Sequence, residues 1–146
     1  MGVSSSDRFM RLRTIRLCIP ILLGPVCAAT AAEAEPAAFQ GAWLEQSLPC
    51  DGVYTAVGKG MSFKKPVNIF APAFIVSGSR LRTPQATCRI RSVRPMGDRE
   101  VMRLDCANSV ATGDVAVQVS ASPDGTLRRF FNEDDKTGNV YRRCDR

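Results

Sequence analysis

The stretch from Cys88 to Cys106 limits the fold more than any other part of the chain. It reads Cys-Arg-Ile-Arg-Ser-Val-Arg-Pro-Met-Gly-Asp-Arg-Glu-Val-Met-Arg-Leu-Asp-Cys. Folded about Gly97, it sets Cys88 opposite Cys106, Ile90 opposite Leu104 and Val93 opposite Val101. In the same register Arg89 meets Asp105 and Arg94 meets Glu100. Apolar pairs, opposite charges and a cysteine pair all favour one antiparallel register, so the segment predicts a disulfide-stapled β-hairpin. One pair is out of place. Arg91 falls opposite Arg103, and like charges directly opposite are destabilising.

Residues 1–32 read as address rather than fold. Arg8, Arg11, Arg13 and Arg16 precede an apolar run from Leu17 to Ala29, and Ala28-Ala29-Thr30-Ala31-Ala32 offers small-residue cleavage sites. That is the pattern of a bacterial-style secretory signal peptide, which predicts a periplasmic or secreted protein. Pro20 and Pro25 interrupt the run, which is too short for a membrane span. Neither Cys18 nor Cys27 follows the small residue that a lipoprotein anchor needs. Residues 33–38 read as a flexible lead-in and 39–146 as a single domain. Residues 33–146 hold 16 Lys and Arg, 12 of them Arg, against 13 Asp and Glu, so the mature domain is only mildly basic.

Export leaves Cys50, Cys88, Cys106 and Cys144, an even number in an oxidising compartment. Four cysteines allow three pairings. The hairpin register selects Cys88–Cys106 and leaves Cys50–Cys144 to tie the first strands to the last residues. No two of the four have the close spacing of zinc ligands, so no metal site is expected.

The rest of the domain is punctuated every few residues by Gly, Pro or Asx turns, with no sustained helical periodicity. Candidate strands are Phe39 to Glu45, Val53 to Val57, Met61 to Phe63, Val67 to Phe70 and Ala73 to Val76. Others are Val115 to Ala121, Thr126 to Phe131 and Asn139 to Cys144. Pro49-Cys50-Asp51-Gly52 and Ser122-Pro123-Asp124-Gly125 are turn chemistry, and Ser79 to Pro84 reads as an edge strand or a loop. The fold expected is all-β: a small antiparallel barrel or sandwich of seven to eight short strands with two disulfides.

The chain contains no histidine. Ser-His and Cys-His nucleophile systems are therefore excluded, and no phosphate-loop, dinucleotide-binding or zinc-protease motif occurs. The one acidic cluster, Glu133-Asp134-Asp135, has the setting of a solvated turn. Neither an enzyme nor a cofactor is expected. Arginine is the functional surplus: Arg80, Arg82, Arg89, Arg91 and Arg103 form a candidate surface for an anionic envelope glycan, a lipid phosphate or an acidic partner. Nucleic acid is not an expected partner, and a monomer is expected. A second candidate surface is the Pro-punctuated apolar run from Ile69 to Val76.

Phe39-Gln40-Gly41-Ala42-Trp43 resembles the G-x-W opening of lipocalin-type barrels, in which the Trp plugs the barrel floor. It is also similar to the start of the exported bacterial metalloprotease inhibitors, where a cysteine follows soon after the Trp, as Cys50 does here. In those inhibitors the segment before G-x-W enters the protease cleft, which implies such a role for Glu33 to Ala38. This chain carries four cysteines where that family has two. The fuller pattern, G-x-W at Gly41 to Trp43, then Cys50, Cys88-Arg89-Ile90, Cys106 and the terminal Arg143-Cys144, resembles small four-cysteine exported proteins of proteobacteria, most of them without an assigned function. Together these readings lead us to expect a non-catalytic binding or inhibitor-like module. Arginine-mediated envelope binding and a structural envelope role are the alternatives.

Overall fold

Alternating apolar residues and closely spaced turns build short antiparallel strands, and here those strands close on themselves. The computed structural model describes residues 36–144; the signal-peptide assignment and the start of the lead-in lie outside them. A 3-10 turn at Ala37–Phe39 leads into β1 (Gly41–Glu45), followed by a one-turn helix α1 (Cys50–Val53). A small hairpin of β2 (Tyr54–Val57) and β3 (Gly60–Phe63) comes next. Then come β4 (Ala73–Ser77), β5 (Arg80–Arg82), β6 (Thr87–Met96), β7 (Arg99–Ala107), β8 (Thr112–Ala121), β9 (Leu127–Phe130) and β10 (Asn139–Arg143). Strands β4 to β10 pair in sequence order, and β1 closes the barrel by pairing with β10 on one side and β4 on the other. The fold is an eight-stranded antiparallel barrel with a separate two-stranded hairpin.

The stapled hairpin forms, with Cys88–Cys106 bonded and Ile90 opposite Leu104. Its register then shifts between Ile90 and Ser92, so Arg91 is the extra residue of a β-bulge. Val93 pairs with Met102 instead of Val101, Arg94 with Val101 instead of Glu100, and Arg103 with Ser92 instead of Arg91. The physical reason is visible in the sequence. Strict alternation would turn polar Ser92 into the core and Val93 out of it; the bulge reverses both, and Val93 is buried. It also relieves the arginine clash, because the Arg91 guanidinium instead donates to Asp105 Oδ2 at 2.6 Å.

Several expected boundaries move. Pro49 to Gly52 is expected as a turn, but Cys50–Val53 is one turn of helix. The segment Arg80–Arg82 is a barrel strand, paired on both sides and therefore not an edge. The stretch Val67 to Phe70 is not a strand. Asn68 Oδ1 accepts from the Phe70 N–H, and the Asn68 carbonyl accepts from the Ala71 N–H, giving the backbone a local turn in place of a ladder. The turn before β9 is as the sequence predicts, with Gly125 at φ +81° and its N–H bonded to the Ser122 carbonyl.

Two apolar clusters result. The first lies inside the barrel and includes Phe39, Trp43, Ile90, Met102, Leu104 and Leu127. The second lies on the outer face of β1 and β4, where Ala42, Leu44 and Ile75 pack with Val53 and Tyr54 under α1 and the β2–β3 hairpin. Each cluster holds one disulfide, Cys88–Cys106 in the first and Cys50–Cys144 in the second. The barrel has no outer ends for Cys50–Cys144 to join, as an open sheet would. That bridge instead fastens α1 beside the closing strands.

Candidate functional site

The interior of an eight-stranded barrel is just wide enough to be filled by side chains or to hold one small ligand. Here it does some of each. At one end the chain plugs its own barrel. Trp43 is 1% exposed, and its indole Nε1 donates to the Phe39 carbonyl at 2.7 Å. The Arg143 guanidinium lies 4.9 Å from the Trp43 ring centroid. Gly41 sits at φ +116°, a backbone conformation that glycine takes without strain. Gln40 clamps the plug to the β4–β5 turn: its Oε1 accepts from the Gly78 N–H at 2.8 Å and its Nε2 donates to the Gly78 carbonyl.

Towards the opposite end the interior is hollow. A cavity of about 450 Å³ is walled by Phe74, Leu81, Met102, Leu104 and Tyr141, and by the inward row Val115, Val117 and Val119 of β8. That volume falls within the usual range of small-molecule sites, about 300–1,000 Å³. The β8 row records its depth. Val119 is 4% exposed, Val117 is half-buried and Val115 is 43% exposed, so the cavity opens towards the start of β8. Strand directions place the connections before β4, between β5 and β6, between β7 and β8, and between β9 and β10 at this same open end.

The mouth has two chemical characters. Ile69, Thr83, Gln85 and Asn108 line it, and each of the three polar side chains spends one atom on backbone groups. Thr83 Oγ1 accepts from the Ala86 N–H, Gln85 Nε2 donates to the Ile69 carbonyl, and Asn108 Oδ1 accepts from the Val110 and Ala111 N–H groups. Large apolar side chains stand out from the mouth-end connections, with Phe70 85% and Val110 88% exposed. The Ile69 to Val76 run thus divides: Phe70 faces solvent, Ala71 to Phe74 line the cavity, and Ile75 belongs to the outer cluster.

The connection from β9 to β10 is drawn against the outer wall. Arg99 is 8% exposed, stacks over Phe130 at 3.8 Å and donates to Gln118 Oε1 and to the Asn132 and Asp135 carbonyls. Within the loop, the N–H groups of Gly138 and Phe131, together with Thr137, hold the Asp135 carboxylate as an acceptor and lower its pKa to about 2. The acidic cluster at Glu133 to Asp135 is therefore partly a structural turn. Sequence patterning identified neither the role of Arg99 nor the cavity. The only available signal for the hollow was the run of small β-branched residues on β8.

The sequence-selected arginines lie apart from this cavity. Arg80 and Arg82 point outward from β5, Arg89 and Arg91 from β6, and Arg103 from β7, so the structure brings all five to one outer face. Arg80 and Arg89 are directly opposite each other. Among the described residues the only ion pairs are Arg91–Asp105 and Arg99–Asp98, and both partners of the first are well exposed. The four cysteines form the two disulfides that the sequence assigns, and no group of three or more metal-ligating side chains occurs among the described residues. Comparison with protein-family models, with curated proteins and with solved structures finds no match to this chain.

Proposed function

We propose that the protein is an exported, non-catalytic binding module that takes a small apolar ligand into its barrel. The observation that carries this reading is the cavity of about 450 Å³, apolar over most of its wall and open at the end where apolar side chains crowd the loops. Phe39 is buried and Gln40 is bonded to a barrel turn, so these two residues close the floor and leave the cavity open only at the far end. The two disulfides and the N-terminal pattern support an oxidising compartment. Among the described residues no helix is long and apolar enough to cross a membrane.

The test is titration with N-phenylnaphthylamine, a neutral fluorophore that brightens in apolar surroundings. Wild type is expected to bind it saturably at one site, while Val117→Phe, which fills the hollow from its wall, loses binding with its circular dichroism unchanged. Equal binding by both proteins removes the cavity reading.

A second reading is arginine-mediated capture of an envelope polyanion on the outer face, favoured by Arg80 standing opposite Arg89 with no carboxylate among the described residues paired to either. It predicts salt-dependent retention on heparin that is lost in Arg80→Glu with Arg89→Glu. Retention insensitive to salt rejects it.

A further inference from the structure

We infer that the ligand is a single-chain amphiphile with a carboxylate head, its tail in the barrel and its head against Arg129. The inference rests on the cavity reading above and adds the ligand's chemical class. Among the described residues Arg129 is the only charged side chain that lines the cavity. It pairs with Val119 across β8 and β9, the deepest member of the β8 row, so it shares the inward face. Being one residue from the end of β9, it also reaches solvent at the rim.

Among the described residues Arg129 has no partner for its charge. Neither ion pair involves it and its guanidinium donates no hydrogen bond there; it lies over the Phe131 ring at 5.6 Å. The contrast with its neighbours is instructive. Arg99 has its donors spent on loop carbonyls, and Arg128 donates to the Thr137 carbonyl. The mouth side chains Thr83, Gln85 and Asn108 are uncharged and each binds backbone through one polar atom, and among the described residues no Asp or Glu lines the cavity. A ligand that leaves the apolar wall satisfied and presents one anionic group at the rim completes the site.

The charge count selects the head. One guanidinium matches the single charge of a carboxylate, which it can grip through two parallel N–H donors. A phosphate monoester carries roughly twice that charge, and among the described residues no second cation lines the cavity. The wall selects the tail. A cavity of about 450 Å³ lined by Leu81, Met102, Leu104 and the β8 valines has room for one hydrocarbon chain and offers it apolar contacts.

The test displaces bound N-phenylnaphthylamine with octanoate, decanoate, decanol and decyl phosphate at neutral pH, on wild type and on Arg129→Gln. Decanoate is expected to bind wild type about three- to tenfold more tightly than decanol, the modest factor reflecting an exposed partner. Decanoate should exceed octanoate by roughly tenfold, as burial of two further methylenes predicts. Arg129→Gln should abolish the preference for decanoate over decanol and leave affinity for the neutral fluorophore unchanged. Equal binding of decanoate and decanol to wild type, or a preference surviving in Arg129→Gln, overturns the inference while the cavity reading stands. Tighter binding of decyl phosphate than of decanoate overturns the carboxylate assignment. Absence of fluorophore binding to wild type removes the cavity reading itself.

Discussion

The two faces of the closing strand β1 serve opposite ends. Its outer face, through Ala42 and Leu44, joins a small cluster packed under α1 and the β2–β3 hairpin, where Leu44 is fully buried. Its inner face, through Trp43, caps a barrel whose far half is hollow. The disulfides follow the same division. Cys50–Cys144, spanning 94 residues of sequence, anchors the packed outer cluster; Cys88–Cys106, spanning 18, staples one hairpin in the cavity wall. The lesson is that the barrel need not be packed solid to stay closed. Its closure is stabilised from outside, where β1 meets both neighbours, and this leaves the interior free to be empty.

Breaking the outer anchor should therefore cost most. Replacing Cys50 and Cys144 together by Ala is expected to lower unfolding free energy by about 4–5 kcal/mol in a denaturant titration, against about 3 kcal/mol for Cys88 and Cys106. Equal losses would mean that the staple inside the wall closes the barrel as much as the anchor does.

Truncating one leucine on each side sharpens the same contrast. Leu44→Ala empties a packed site and should cost about 4 kcal/mol. Leu104→Ala borders space that is already vacant and should cost only about 2–3 kcal/mol. A larger loss at Leu104 would show that the interior is packed as tightly as the outer cluster.

A hydrogen-bonded pin links β1 to β4 beneath the hairpin. The Tyr54 hydroxyl donates to the Trp43 carbonyl at 2.6 Å, with the Phe74 carbonyl 3.1 Å away. Burial pushes this phenol well above its usual pKa, so it remains a neutral donor throughout the working range. Tyr54→Phe should cost about 1–2 kcal/mol by equilibrium unfolding, with no dependence on pH between neutral and mildly alkaline solution.

The smallest effect belongs to the β9–β10 loop. Asp135 has its pKa lowered to about 2 by the Gly138 and Phe131 N–H groups and by Thr137. A depressed carboxylate contributes stability that is fully present above its unfolded value, near 4, and is lost as pH falls through the folded one. Amide exchange at Phe131 and Gly138 should therefore quicken, relative to the barrel strands, between about pH 4 and pH 2. Asp135→Ala should remove that response.

Sequence made the framework legible wherever chemistry was local. The stapled register near Cys88, the turn at Gly125 and the alternating row of β8 all follow from pairing and turn rules acting over a few residues. The bulge at Arg91 was legible only as an anomaly, the like charges of Arg91 and Arg103 falling opposite each other. It took the inward position of Met102 to show how the chain resolves it. The cavity was hidden for a different reason. Alternation says which side chains face inward, but not whether eight inward rows fill the space they enclose. Arg129 was hidden likewise. Beside Arg128 it reads as a solvated pair, and only the barrel's closure turns one of the two towards the hollow.

The central claim is that the inner face holds a ligand and the outer cluster does not. Methyl NMR of wild type during titration with decanoate tests it most directly. The claim predicts shifts at Leu104, Val115 and Val117, with Leu44, Val53 and Ile75 unmoved. Shifts confined to the outer cluster, or no shift at either, would contradict it.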